Sequence, residues 1–214
     1  MTSAWQTFDP TALKVRTVDL IGIVLGVDPN GKEGGPCDAH VSLWAVVRRG
    51  RRLETWKLGE WHGAWAYDVL KLTVGELRSK WPIGHLVIEC NNYGTSLVSE
   101  LQRRQPVLGV DGRALRPMKA TPHVEAVNPR TGKLARAKAV RPIIEAGLAR
   151  LPGMSLGDVT TAWVAAHREG WETWPGKQKS DLDRIDCDAM CIDYIQARWR
   201  IVEAYCEEQG IRPR

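Results

Sequence analysis

Two apolar segments of the sequence each end on a carboxylate. Asp28 closes the segment 21–28, and Glu89 closes the segment 85–89. Both segments read as short buried strands. A charge at such a position is costly without a partner, and metal ions or basic groups are the partners that suit a carboxylate there. We therefore treat Asp28 and Glu89 as candidate ligands of a cation.

A further group of acids opens the long C-terminal helix that the pattern predicts over residues 182–208. These acids are Asp181, Asp183, Asp186 and Asp188. Asp188 shares a helix face with Ile185 and Ile192, so we expect it to turn toward the sheet and the other acids. Asp186 lies roughly 160° away at ~100° per residue, and we rank it second. Asp183, close to the helix start, is predicted to be an auxiliary metal ligand.

Carboxylates that converge repel one another unless cations hold them together. Magnesium and manganese suit such a site because they prefer oxygen ligands and retain waters. Two such ions, about 3.5–4 Å apart, activate an attacking water and steady the leaving oxygen of a phosphodiester. Taken singly, each acid also suits a turn or the first turn of a helix. Together, the three positions favour a two-metal hydrolytic site.

A basic tract precedes the acidic helix. Between Arg113 and Arg141 there are eight lysines and arginines, and Glu125 is the only acid. The candidate phosphate contacts within it are Arg130, Lys133, Arg136 and Lys138. Contacts of this kind position a strand without reading its bases, so weak sequence preference and steep salt dependence are expected. The net charge of +5 also favours nucleic acid as the partner, although such a bias is typical of solvated surfaces too.

The elements that must position these groups follow from the apolar spacing. Strands are predicted over 21–28, 40–48, 51–58, 85–89 and 106–110, and helices over 65–80, 95–104, 133–146, 155–168 and 182–208. The first three strands are joined by turns and should form an antiparallel meander. One domain is predicted over residues 20–214, after a lead-in or linker remnant at residues 1–19.

Composition bounds the class of protein. Hydrophobic residues make up 43% of the 214 residues and charged residues 26%, which is typical of a globular domain. The N-terminus lacks the pattern of a secretory signal, so we expect an intracellular protein and no membrane partner. The odd cysteine count and the helical spacing of Cys187 and Cys191 favour free buried thiols. Ten tryptophans against one phenylalanine indicate aromatic packing in the core.

Four segments occur in an order and at separations that resemble a known family. They are GVDPNGKEGG at 26–35, VIECNNYG at 87–94, KLARAKAVRPIIEAGLARL at 133–151 and DRIDCDAMCI at 183–192. With them, the chain resembles the C-terminal nuclease domain of the large terminase subunit of tailed bacteriophages, within the ribonuclease-H-like and RuvC-like superfamily. The resemblance implies an α/β fold whose mixed central sheet combines an antiparallel meander with parallel strands and is flanked by helices.

The same resemblance implies a function. It implies a metal-dependent endonuclease that cuts concatemeric viral DNA during genome packaging, with two Mg²⁺ or Mn²⁺ ions as cofactors. Asp28 and Glu89 match the first two metal-binding acids. The family pattern Asp-Arg-x-Asp allows Asp186 as the third, whereas helix facing favours Asp188, so both stay candidates. The implied partners are double-stranded DNA, the terminase ATPase motor, the small terminase subunit and the portal, in the host cell cytoplasm.

Two alternatives stay open at this point. One is a RuvC-like Holliday-junction resolvase, which would use acids arranged in a similar way on branched DNA. The other is a basic nucleic-acid-binding module without catalysis, in which the acids are only caps and turns. The sequence shows no Walker phosphate loop, because no Gly-Lys pair, including those at Lys32 and Lys133, is followed by Ser or Thr. An ATP-driven motor is therefore not predicted within this chain.

Overall fold

A seven-stranded sheet forms the centre of the computed structural model, which describes residues 5–9, 12, 18–29, 38–90, 93–102, 123–153, 160–174 and 179–208. The strands are β1 (Gln6–Phe8), β2 (Asp19–Asp28), β3 (Ala39–Arg49), β4 (Arg52–Gly63), β5 (His85–Glu89), β6 (His123–Val127) and β7 (Ala149–Pro152). The helices are α1 (Tyr67–Lys80), α2 (Tyr93–Gln102), α3 (Lys133–Glu145), α4 (Thr160–Glu172) and α5 (Lys179–Glu208).

The sheet is mixed, with the strand order β1-β7-β4-β3-β2-β5-β6. Strands β2, β3 and β4 pair antiparallel, whereas β5 runs parallel to β2 and β6 runs parallel to β5. On the other side, β7 lies parallel to both β4 and β1. The predicted fold class, an antiparallel meander combined with parallel strands and flanked by helices, is confirmed.

Side chains along β2 alternate between two cores because successive residues of a strand point to opposite faces. Ile23, Leu25 and Val27 pack with α1 and α2 on one face. Val24 packs on the other face with residues of α3, α4 and α5. Asp28 has the parity of Val24, so its carboxylate points to the face that α5 covers.

The predicted bounds of β5 agree with the structure, and those of the other predicted elements within the described residues differ from it by a few residues. Residues 106–110 lie outside the described residues. Three short strands were not predicted: β1, within the predicted lead-in, β6, at one edge of the sheet, and β7, between β1 and β4. Strand β6 is half-exposed along its length and carries His123 and Glu125, so it lacks an apolar run. None of the described helices has the length and apolar character needed to cross a membrane.

Candidate metal centre

Three carboxylates meet at the ends of β2 and β5 beside α5. Asp28, Glu89 and Asp186 each present an oxygen, and these oxygens all lie within 4.8 Å of one another. The three residues are 1%, 3% and 1% exposed. They belong to segments that are far apart in the chain, so the tertiary fold brings them together.

The strand register places the first two acids side by side. In the parallel pair of β2 and β5, Val27 lies opposite Ile88, so the next residues, Asp28 and Glu89, both follow at the same sheet edge. Leu86 and Ile88 pack on the face of α1 and α2, whereas Val87 packs on the face of α5. Glu89 shares the parity of Val87 and therefore points to the same face as Asp28.

Glycines allow the close approaches that this corner requires. A Cβ at Gly26 would overlap the Cys191 sulfur of α5, so glycine lets the helix lie directly on β2. A Cβ at Gly94, in the first turn of α2, would overlap the backbone carbonyl of Glu89. Both glycines therefore set the positions of backbone that carries the acids.

Two basic residues of α3 contact the acid cluster. Lys133 donates to Asp183 at 2.6 Å, and its Nζ lies 3.7 Å from Asp28 and 3.4 Å from Asp186. Arg136 forms a bidentate pair with Asp186, in which its Nε donates to Oδ1 at 2.6 Å. The same guanidinium lies 3.7 Å from Glu89. Asp183, the predicted auxiliary ligand, is thus buried beside the cluster and bound to Lys133.

The neighbouring acids favour the charged forms of these two bases. Burial acts to lower the pKa of Lys133, but the attraction of Asp28, Asp183 and Asp186 outweighs it and raises that pKa above its ordinary value. The pKa of the Arg136 guanidinium is raised in the same way, mainly through Asp186. Both side chains are therefore cations wherever the acids are ionised.

The donor set fits a hard divalent cation. Four carboxylates and two cations give a formal charge of −2 at this corner. The converging atoms are carboxylate oxygens, which are the ligands that Mg²⁺ and Mn²⁺ prefer. Asp28, Glu89 and Asp186 are the residues that would hold the ion, with Asp183 next to them. The positive charge of Lys133 and Arg136 offsets only half of the carboxylate charge.

The structure does not place Asp188 with the other acids, although helix facing ranked it first. Its carboxylate is fully buried and accepts a hydrogen bond from Lys57 of β4 at 2.8 Å. Its other oxygen lies 3.1 Å from Nε2 of His167. Asp186, ranked second, takes the place expected for Asp188.

The physical reason is that α5 has two packing partners. One side of the helix lies on β2, β3 and β5, and another packs against α3. Asp188 faces the sheet as expected, but its partner there is Lys57 of β4, away from the ends of β2 and β5. Asp186 lies on the side that faces α3, and this side is equally buried. Our prediction assumed that α5 buries only one face. It therefore could not tell whether Asp186 or Asp188 joins Asp28 and Glu89.

A buried charge network around Lys57 was not predicted. Lys57 donates to Glu60 at 2.7 Å as well as to Asp188, and His167 lies 2.9 Å from the same Glu60 oxygen. Burial acts to lower the pKa of Lys57, but Asp188 and Glu60 together raise it. Burial, followed by the charge of Lys57, lowers the pKa of His167. A lysine within a tryptophan-rich strand was the available signal in the sequence.

The four predicted phosphate contacts divide into two pairs. Lys133 and Arg136 point to the acids, whereas Arg130 and Lys138 are exposed. A cavity of about 400 Å³ opens beside this corner, between α3 and α5. Glu89 and Arg136 line one part of it, and apolar side chains such as Met190 line much of the rest. Basic groups and space for a ligand thus adjoin the acid cluster.

No protein-family model and no curated protein matches the sequence. Solved structures do match the fold. The large terminase nuclease domain of bacteriophage SPP1 with bound Mn has a TM-score of 0.52 at 12% identity, over 89% of this chain and 96% of that one. The Mn-soaked terminase nuclease domain of human cytomegalovirus has a TM-score of 0.50 at 12% identity, over 89% of each chain.

The large terminase of a thermophilic bacteriophage is a longer chain with a similar part. It has a TM-score of 0.51 at 9% identity, and the match covers 81% of this chain and 40% of that one. At these identities the likeness is one of fold. The chain therefore has a ribonuclease-H-like fold, and its structural neighbours include nuclease domains of terminases.

Proposed function

We propose that the chain is a divalent-metal-dependent DNA endonuclease that hydrolyses phosphodiester bonds with two Mg²⁺ or Mn²⁺ ions. The observation that carries this proposal is the convergence of Asp28, Glu89 and Asp186 at the strand ends of a ribonuclease-H-like sheet. Structural neighbours of the same fold include nuclease domains. That of bacteriophage SPP1 has bound Mn, and that of human cytomegalovirus was soaked with Mn. Cleavage of concatemeric viral DNA during packaging is the biological role that we propose.

In this proposal the acids hold the ions and the α3 bases handle phosphate. Asp28, Glu89 and Asp186 would hold the metal, which when bound would supply an activated water and stabilise charge on the phosphate. Because the three carboxylates are buried, little bulk water competes for them. Lys133 and Arg136 lie at the edge of the same cluster, 35% and 16% exposed, where they can also contact phosphate oxygens. Arg130 and Lys138 extend this basic surface outward.

Incubation of supercoiled plasmid with the purified chain tests the activity. Reactions contain Mn²⁺, Mg²⁺ or a chelator, and compare the wild-type chain with Asp28→Asn, Glu89→Gln and Asp186→Asn. We expect metal-dependent nicking and linearisation, reduced at least about a hundredfold by each substitution. Asp68→Asn is the matched control, because Asp68 is an exposed acid of α1 and should leave cleavage unchanged.

Two outcomes would redirect the proposal. DNA binding without cleavage in either metal would favour a binding module in which the acids are structural. Strong preference for a synthetic four-way junction over linear duplex would favour a resolvase. For the packaging role, we expect the chain to associate with a terminase motor, small terminase subunit and portal from the same virus, and co-purification of those proteins tests this expectation.

A further inference from the structure

The hairpin between β3 and β4 carries four arginines at the end of the sheet opposite the metal centre. The residues are Arg48, Arg49, Arg51 and Arg52, with Gly50 between them. Arg49 pairs with Arg52, so the loop contains only Gly50 and Arg51. Gly50 has a φ of 61°, which glycine adopts without strain, and the tight turn therefore concentrates the arginines.

These arginines border a cavity of about 610 Å³. Its charged lining consists of Arg48, Arg49, Arg52, Arg150, Asp19 and Glu54. Four arginines and two acids give this cavity a formal charge of +2. Arg51 adds a further positive charge at the hairpin tip. The cavity is thus suited to an anion.

A buried carboxylate positions part of the basic lining. Glu54 is 3% exposed, and it accepts hydrogen bonds from Nη2 of Arg150 at 3.1 Å and from the Trp56 indole at 2.8 Å. It also forms an ion pair with Arg150, whose Nε lies 2.8 Å from its other oxygen. The Arg49 guanidinium lies 3.7 Å from the same carboxylate. Arg150 is only 15% exposed and also donates to the Thr7 carbonyl. Its guanidinium is therefore held in one orientation before any ligand arrives.

Two arginines of the hairpin are not neutralised in this way. Within the part of the chain that the structure describes, Arg51 and Arg52 form no ion pair, and both are exposed. A plain solvated turn needs neither a buried Glu54 nor a fixed Arg150 beneath it. Guanidinium groups are planar forks whose donors match the oxygens of a phosphate.

We infer that the arginine-lined cavity at the β3–β4 hairpin is a phosphate-binding site separate from the metal centre. Asp19 and Asp28, at the two ends of β2, lie roughly 30 Å apart at ~3.3 Å per residue. A ligand in this cavity is therefore too distant to be the phosphate that is cleaved. The phosphate belongs either to the backbone of a nucleic acid or to a free polyphosphate, since both present the same oxyanions.

The test measures binding in a chain that cannot cleave. Arg51→Gln/Arg52→Gln is combined with Asp28→Asn, and fluorescence anisotropy follows a 30-base-pair duplex across a salt series. Calorimetry with inorganic tripolyphosphate runs in parallel. The control is Lys71→Gln/Lys80→Gln, which removes the same charge from α1, whose residues do not line the cavity. Thermal unfolding checks that the exposed substitutions leave the fold intact.

Each result has a defined meaning. A roughly tenfold loss of duplex affinity relative to the control, with a salt slope reduced by about 1–2, supports the site with nucleic acid as its source. A similar loss of affinity for tripolyphosphate alone supports the site with a free polyphosphate as its ligand. Loss of neither, or absence of binding by the unsubstituted hairpin, overturns the inference. Because cleavage is not measured, failure here is distinct from failure of the proposed nuclease.

Discussion

The Asp188 carboxylate lies 2.8 Å from the Lys57 ammonium, and neither side chain is exposed to solvent. The ammonium also lies 5.6 Å from the centre of the Trp44 ring, an arrangement that favours a cation. This pair joins β4 to α5, and α5 carries Asp186 two residues earlier. Asp188 therefore positions the helix that carries Asp186 and lies apart from the cluster of Asp28, Glu89 and Asp186.

Replacing Asp188 by Asn should cost about 3–5 kcal/mol of unfolding free energy, because it leaves a buried cation with weaker compensation. Equilibrium unfolding in urea measures the change. Asp193→Asn, an exposed acid on the same helix, should change the free energy by about 0.5 kcal/mol or less. The triple replacement Lys57→Met/Glu60→Gln/Asp188→Leu should recover most of the loss, since it removes the lysine charge together with the two carboxylate charges that it pairs with. A stability of Asp188→Asn equal to the control would contradict this role.

Replacing Asp186 by Asn should weaken metal binding more than it weakens the fold, in contrast to Asp188→Asn. The amide cannot supply the charge that a divalent ion needs, so Mn²⁺ affinity should fall at least about tenfold. Stability should change less than in Asp188→Asn, because Arg136 keeps Glu89 nearby and is partly exposed. Calorimetric titration with Mn²⁺ measures affinity, and urea unfolding measures stability. The assignment of Asp186 fails if Asp188→Asn loses the metal and Asp186→Asn keeps it.

Replacing Lys133 by Met should strengthen metal binding while weakening the metal-free protein. Lys133 lies within 4 Å of three carboxylates, and its charge opposes that of an incoming cation. We expect roughly tenfold tighter Mn²⁺ binding and a lower unfolding temperature in chelator. Lys138→Met is the matched control, because Lys138 is exposed on the same helix. Equal metal affinities in the two variants would show that Lys133 does not compete with the ion.

Replacing Gly26 by Ala should displace α5. The new methyl group would overlap the Cys191 sulfur and lie 3.1 Å from the Ser42 hydroxyl, so we expect a loss of about 1–3 kcal/mol and weaker Mn²⁺ binding. Cys191→Ala in the same chain should restore part of both, since it removes the obstructing atom. Gly22→Ala is the control on the same strand, where the methyl would meet Trp199 at an ordinary 3.5 Å. Unfolding and calorimetry again provide the measurements, and a neutral Gly26→Ala would refute the close approach.

Local signals were sufficient to predict the first two members of the acid cluster. An apolar run ending on an acid identified both β2 with Asp28 and β5 with Glu89, because each strand is buried on both faces and needs no partner to be recognised. The third position depends on what α5 packs against. Both Asp186 and Asp188 are buried, and only the placement of α3 and β4 decides which one reaches the strand ends.

The short strands could not be predicted from local sequence for a similar reason. Strand β7 has four residues and ends on Pro152, and its place between β1 and β4 is set by pairing with residues far away in the chain. The contact between Lys57 and Asp188 spans 131 positions of the sequence. Such a contact leaves no trace in spacing or periodicity, so a buried lysine in a strand could not be assigned its partner.

The imidazole of His85 should make stability depend on pH. Burial, and then the nearby charges of Arg198 and His123, lower its pKa from 6.5 to about 4. The unfolded chain therefore binds a proton between pH 6.5 and 4 that the folded chain does not, and stability should fall as the pH drops through this window. Since His85 is half-buried, screening limits its share to about 1–2 kcal/mol. Urea unfolding at pH 7.5 and 4.5 measures the fall.

The variant that isolates this effect is His85→Gln, which cannot gain the proton but retains a polar group beside the Tyr194 hydroxyl, 3.0 Å from His85 Nδ1. Its loss of stability on acidification should be smaller than that of the wild-type chain by the same amount. His40, whose burial lowers its pKa to about 3, acts in the same direction in both chains and cancels from the comparison. His123→Gln, at an exposed position of the adjacent strand, should retain most of the fall and lose only the share that the His123 charge contributes to the lowered pKa of His85. Identical pH dependence in the His85→Gln and wild-type chains would show that His85 is not the group responsible.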